Sequence, residues 1–110
     1  MEGHNNLEIT AKELQEKINN GDKIIVDFHG LWCGPCKMMM PIFESVAQNN
    51  QTDIQMYTMD IDKNKEYVMS IGIRSVPTIK IFSNGNATDT VVGVMGEEKI
   101  KSLVNDLLLN

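Results

Sequence analysis

Cys33 and Cys36 are the only cysteines in the chain, and they stand two residues apart. Thiols at that spacing can supply half of a metal site or cycle between dithiol and disulfide. A purely structural bridge is a poor account of them, because closing so short a loop removes little entropy from the unfolded chain. A structural zinc site needs four ligands, and only His4 and His29 are available besides. Ligand count and context therefore favour redox chemistry, with no metal and no bound cofactor expected. The context is Trp32-Cys33-Gly34-Pro35-Cys36, set between an apolar run and the start of a helical pattern. A sulfur at a helix N-terminus faces unpaired amides and the positive end of the dipole, which favour thiolate over thiol. Cys33 is thus the expected nucleophile that forms a mixed disulfide with a target. Cys36, one turn further on, is the expected resolving thiol.

Asp27 is the second candidate. It interrupts Lys23-Ile24-Ile25-Val26-Asp27-Phe28, a β-branched apolar run of the length expected for a strand covered on both faces. A carboxyl buried there without a partner should have a raised pKa, towards the range useful for proton transfer.

These residues need elements to hold them. Thr10-Ala11-Lys12-Glu13 can form a capping box, with Ile9 and Leu14 as a hydrophobic staple, and Gly21 stops that first helix. Met39, Met40, Phe43, Val46 and Ala47 recur at helical spacing, so a second helix should run from near Gly34 to about Gln48, kinked at Pro41. Residues 54 to 61 read as the next strand, and the strand, helix, strand order implies parallel pairing through a right-handed crossover. A short helix is expected over residues 64 to 71. Residues 78 to 82 and 86 to 92 flank Asn84-Gly85, a strong hairpin signal that makes those two strands antiparallel. Ile100, Leu103, Val104, Leu107 and Leu108 mark a closing amphipathic helix. The expected fold class is α/β: one domain over residues 1 to 110, with a central mixed sheet of four or five strands flanked on both faces by about four helices.

Composition limits the partners. Ten basic and fifteen acidic residues leave a net charge of -5, which repels nucleic acid phosphates and anionic lipid headgroups. The lysines are scattered and the only arginine is Arg74, so no basic patch is visible and neither nucleic acid nor membrane is expected as a partner. No apolar stretch approaches the roughly 18 residues of a membrane span, and the N-terminus has no leader-like pattern; a cytoplasmic monomer is expected. Asp60-Ile61-Asp62-Lys63-Asn64 resembles the start of a calcium loop, but Lys65 and Ile71 occupy the positions of its glycine and bidentate glutamate, which argues against calcium.

The five-residue cysteine motif does not stand alone. With Val26-Asp27-Phe28, Lys37, Pro41, Asp62, Ile73-Arg74, Val76-Pro77-Thr78, Asn84-Gly85 and Val92-Gly93, it resembles the thioredoxin family over nearly the whole chain. The resemblance implies a thioredoxin fold and a thiol-disulfide oxidoreductase that reduces protein disulfides, serving electron transport and cell redox homeostasis. Gly34-Pro35 accompanies reducing rather than oxidising members. Asp27 would act as general base for Cys36 through water. The Val76-Pro77 bond would be cis and face the cysteines, leaving the Val76 backbone to pair with an extended substrate. Trp32, Gly34, Pro35, Val76, Pro77, Gly93 and Val94 would bind substrate. The implied partners are disulfide-containing proteins and a thioredoxin reductase or equivalent donor. An oxidase or isomerase of the same family, and a binding subunit whose thiols are incidental, are the alternatives. A scaffold has no physical need for Cys33, Cys36, Asp27 and Pro77 together. Two positions depart from the family pattern: His29 replaces a tryptophan, for packing or as a cation near Cys33, and Thr58 replaces a lysine that would approach Asp27.

Overall fold

The computed structural model describes residues 7–109. The Thr10 hydroxyl accepts the Glu13 N–H, and the Glu13 carboxylate accepts the Thr10 N–H at 2.9 Å, the reciprocal cap that starts helix α1 (Ala11–Asn19). Gly21, at φ +83°, turns the chain out of that helix into β1 (Ile24–His29). After β1 come α2 (Gly34–Asn49), β2 (Gln55–Asp60), α3 (Lys65–Ser70), β3 (Thr78–Ser83), β4 (Asn86–Val92) and α4 (Glu97–Leu108). Asn84 and Gly85 both take positive φ in the β3–β4 turn, which suits the twist of a two-residue hairpin.

Among the described residues the sheet has four strands in the order β2-β1-β3-β4. β1 runs parallel to β2 and antiparallel to β3, and β3 antiparallel to β4. β1 is therefore central and buried at all six positions. Its alternation divides the core. Ile24, Val26 and Phe28 pack in one cluster with Leu14 of α1 and Val68 of α3. Ile25 packs in the other with Met39 and Phe43 of α2 and Ile100 and Leu103 of α4. Asp27 shares the parity of Ile25 and so points towards the α2 and α4 layer.

Among the described residues there is no fifth strand. Leu7, Glu8 and Ile9 contribute a bridge from Glu8 to Thr58, with the Ile9 N–H on the Thr58 carbonyl and the Thr58 N–H on the Leu7 carbonyl, each at 2.9 Å. On its C-terminal side the pairing ends for a local reason, because Thr10 already caps α1. β4 is the opposite edge. It is exposed along almost its whole length, its register with β3 shifts between Ile81 and Phe82, and among the described residues no strand pairs with its outer side.

α2 continues unbroken through Pro41, which withholds an N–H from the Lys37 carbonyl. Met39 and Phe43 are fully buried. Burying side chains of that size stabilises by roughly 1.5–3 kcal/mol each, so the helix is anchored a turn beyond the cysteines.

Candidate active site

The chain leaves β1 at His29 and reaches α2 through a tight turn in which the Cys33 N–H donates to the Gly30 carbonyl at 3.1 Å. Cys33 is the N-cap of α2, with φ -91° and ψ 113°, and its Sγ accepts the Cys36 N–H at 3.1 Å. Gly34 and Pro35 form the first helical positions, where the N–H that proline lacks has no helical acceptor to satisfy. Cys33 and Cys36 are disulfide-bonded, with their α-carbons 5.2 Å apart, inside the ordinary range for such a bond. Both are buried, Cys36 the more completely.

A second loop faces this helix start. The Val76 carbonyl oxygen lies 3.8 Å from Cys33 Sγ, and the Val76-Pro77 bond is cis. The loop is fastened on both sides. The Thr78 hydroxyl donates to the Ser75 carbonyl at 2.7 Å, and the Gly93 N–H to the Pro77 carbonyl at 2.9 Å. Among the residues expected to bind substrate, Trp32, Gly34, Pro35 and Val94 are exposed, Val76 and Gly93 are half-buried, and Pro77 is buried. Pro77 thus offers little side-chain surface, and its place is beneath the Val76 backbone.

Trp32 is 65% exposed yet held in place, because its indole N–H donates to Asp62 Oδ2 at 2.7 Å. The ring also lies against Gly30, where an added Cβ would come within 2.7 Å of Trp32 Cε2. Gly30→Ala is therefore expected to displace the indole and break its bond to Asp62, at a cost of about 1–3 kcal/mol. The chain has one tryptophan, so a changed emission maximum together with a lowered midpoint of urea unfolding would report this directly. Identical emission in the two proteins would show that the ring does not depend on Gly30.

Asp27 is fully buried, and neither carboxylate oxygen has a hydrogen-bond partner. Burial pushes its pKa up from 3.8 to about 7, and the negative Glu44 on α2 adds to the rise. Thr58 lies beside it in the parallel register of β2 and is also fully buried. Thr58→Lys is expected to bring an ammonium towards the carboxylate and lower the Asp27 pKa by at least about one unit. Carboxyl NMR titration of the oxidised protein checks this free of the thiols, and equal pKa values in both proteins would show that the cation does not reach Asp27.

His29 is buried, 4% exposed, rather than at the partly exposed site ordinary for histidine. Its Nδ1 has no partner, and burial lowers its pKa against the opposing pull of Asp60 and Glu8. A neutral, enclosed imidazole fits the packing role better than the cationic one. His4 lies outside the described residues, and among those described no three acidic, histidine or cysteine side chains gather as a metal site would require. In the segment that resembled a calcium loop, Asp60 Oδ1 instead accepts the Asp62 N–H at 2.8 Å.

Three contributors to the site escape a reading of residue types alone: Gly30 beneath the indole, Asp62 as its acceptor, and Glu44 near Asp27. Gly30 has no positive φ to advertise it, and the other two act across distances of 30 and 17 positions in the chain.

A family model described as Thioredoxin matches residues 5–106. A thioredoxin of Porphyra purpurea is 37% identical over 91 residues, covering 83% of this chain and 85% of that protein. One from Rickettsia bellii is 34% identical over 99 residues, covering 89% and 94% respectively. Among solved structures, a mutant thioredoxin from Halobacterium salinarum superimposes with a TM-score of 0.81 at 33% identity, over 92% of this chain and 88% of that one. The thioredoxin of Malassezia sympodialis gives 0.81 at 28% identity, over 96% and 97%.

Proposed function

The chain belongs to the thioredoxin family and is a thiol-disulfide oxidoreductase with protein-disulfide reductase activity, and from that premise we propose how its residues divide the work. Cys33 is the attacking thiol. The observation that carries this reading is its place as N-cap of α2, where the sulfur accepts the Cys36 N–H and meets the positive end of the helix dipole. The Cys33 thiolate attacks one sulfur of a target disulfide, forming a mixed disulfide and releasing the other sulfur as thiolate. Cys36, once deprotonated, attacks Cys33 Sγ; the Cys33–Cys36 disulfide forms and the second target sulfur leaves with the electron pair. A dithiol donor such as a thioredoxin reductase restores the reduced pair.

Asp27 is the base for Cys36. A pKa of about 7 lets the carboxyl exchange a proton near neutral pH, and its lack of any direct hydrogen bond implies transfer through a bridging water. Substrate docks as an extended segment on the Val76 backbone, which the buried Pro77 supports from beneath, over an apolar rim of Trp32, Gly34, Pro35, Gly93 and Val94. In the cell the protein acts as a monomeric, single-domain carrier of reducing equivalents in the cytoplasm, in electron transport and redox homeostasis. No described helix is long and apolar enough to cross a membrane.

Alkylation tests the division of labour. In the reduced protein, iodoacetamide is expected to modify Cys33 first, with an apparent pKa clearly below the roughly 8.5 of a free thiol. Peptide mapping identifies the residue, and earlier modification of Cys36 would reverse the two roles.

A further inference from the structure

Beside Trp32 opens a cleft of about 380 Å3, walled by Met69, Ile73 and Val76 and bordered by Lys65 and Arg74. Met69 is 76% exposed and Trp32 65%, so the walls are open to an incoming side chain. The cleft is continuous with the reactive centre, because Val76 also places its carbonyl oxygen 3.8 Å from Cys33 Sγ. Two cations meet here in a chain of net charge -5, and neither makes an ion pair with any described residue. Nearby Lys63, by contrast, is 3.5 Å from Glu8. The one carboxylate in the wall, Asp62, accepts the Trp32 indole N–H and keeps its charge, so the lining holds two cations against one anion. An apolar recess whose charged border is positive on balance, with neither cation held in an ion pair, is complementary to an apolar side chain with a carboxylate next to it.

We infer that this cleft selects protein substrates whose reactive cysteine is flanked by an apolar and an acidic residue, with Lys65 and Arg74 as the specificity-determining cations. The inference rests on the reading of Cys33 as the attacking thiol. Arg74 lies two residues before Val76, so a substrate strand laid along the Val76 backbone passes its flanking side chains over the cleft. There the arginine fork can take a carboxylate in two parallel hydrogen bonds. Exposed pairs are individually weak, so together they should give a preference of roughly fivefold, and one that salt weakens.

The test uses three cyclic disulfide peptides that keep a phenylalanine beside the cysteine and carry acidic, amide or lysine neighbours. Each is reduced by the fully reduced protein in a single turnover, and each rate is divided by the rate with dithiothreitol to remove intrinsic reactivity. The acidic peptide is expected to exceed the amide peptide by roughly fivefold at low salt, with the lysine peptide slowest. The acidic-to-amide ratio should approach one in high salt and in K65Q/R74Q. It should persist in K99Q/K101Q, which removes the same charge from α4, a helix that does not line the cleft. A ratio near one in the wild type, or one that survives in K65Q/R74Q, overturns the inference while the protein still reduces the amide peptide. If no peptide is reduced, or if Cys33→Ser reduces them all at wild-type rates, the reading of Cys33 fails and the inference with it.

Discussion

A Cys36→Ser protein is expected to attack disulfides at close to the wild-type rate and then stop, holding its target as a mixed disulfide on Cys33. The first step needs only the Cys33 sulfur, which is stabilised as thiolate by the helix start and by the Cys36 backbone N–H, and serine at position 36 preserves that N–H. The second step needs a sulfur one turn on, and a serine hydroxyl does not ionise near neutral pH. Cys33→Ser removes the first step, so reduction should fall to background and no adduct should form. With insulin as substrate and reduced protein in stoichiometric amount, a non-reducing gel should show a one-to-one adduct for Cys36→Ser, released by dithiothreitol. Wild-type turnover by Cys36→Ser would mean that Cys36 is not the resolving thiol.

Replacing Asp27 by asparagine is expected to make the protein more stable and less active at once. Ionising Asp27 is opposed in the folded state, so its pKa rises from 3.8 to about 7. Below the unfolded pKa the carboxyl is neutral in both states and contributes no penalty. As pH rises from about 4 to about 7, the unfolded chain ionises while the folded chain keeps its proton, and wild-type stability falls. Above the folded pKa the penalty is complete. At 1.36 kcal/mol per unit, the shift corresponds to about 4 kcal/mol. Asparagine avoids the ionisation but still buries an amide, so a gain of about 2–3 kcal/mol is expected near pH 8, shrinking towards zero near pH 4. Urea unfolding of the oxidised proteins at the two pH values measures it. Loss of the base should slow resolution of the mixed disulfide on the order of a hundredfold and leave the first attack nearly unchanged. An equal stability gain at both pH values would remove ionisation as the cause.

Both results depend on residues whose chemistry can be read from their neighbours in sequence. Cys33 and Cys36 announce themselves by spacing, and Asp27 by being the one charge in an apolar strand. The elements that carry them were equally legible, since Thr10 with Glu13, Asn84-Gly85 and the periodic apolar positions of α2 and α4 are local signals. Less legible was whatever depends on how elements come to rest on one another. The sequence allows four strands or five, and among the described residues the pairing beyond β2 is a single bridge at Glu8, ended by the cap at Thr10. His29 ends a strand next to a loop, where exposure is the ordinary expectation, yet the neighbouring layers enclose it. Gly30 carries no turn signal; only the final position of the Trp32 ring shows why a side chain would not fit.

The exposed outer side of β4 has a bearing on solubility. A bare strand edge is a template on which another chain can extend the sheet, and the usual protections are charge, irregular register and occupied backbone groups. β4 has all three. Asp89 places a carboxylate in the middle of the strand, its Oδ1 takes the Thr90 backbone N–H at 2.8 Å, and the register shift between Ile81 and Phe82 interrupts the straight ladder that an added strand would have to follow. Asp89 is thus a gatekeeper against edge-to-edge aggregation, a duty separate from the thiol chemistry at the other end of the hairpin.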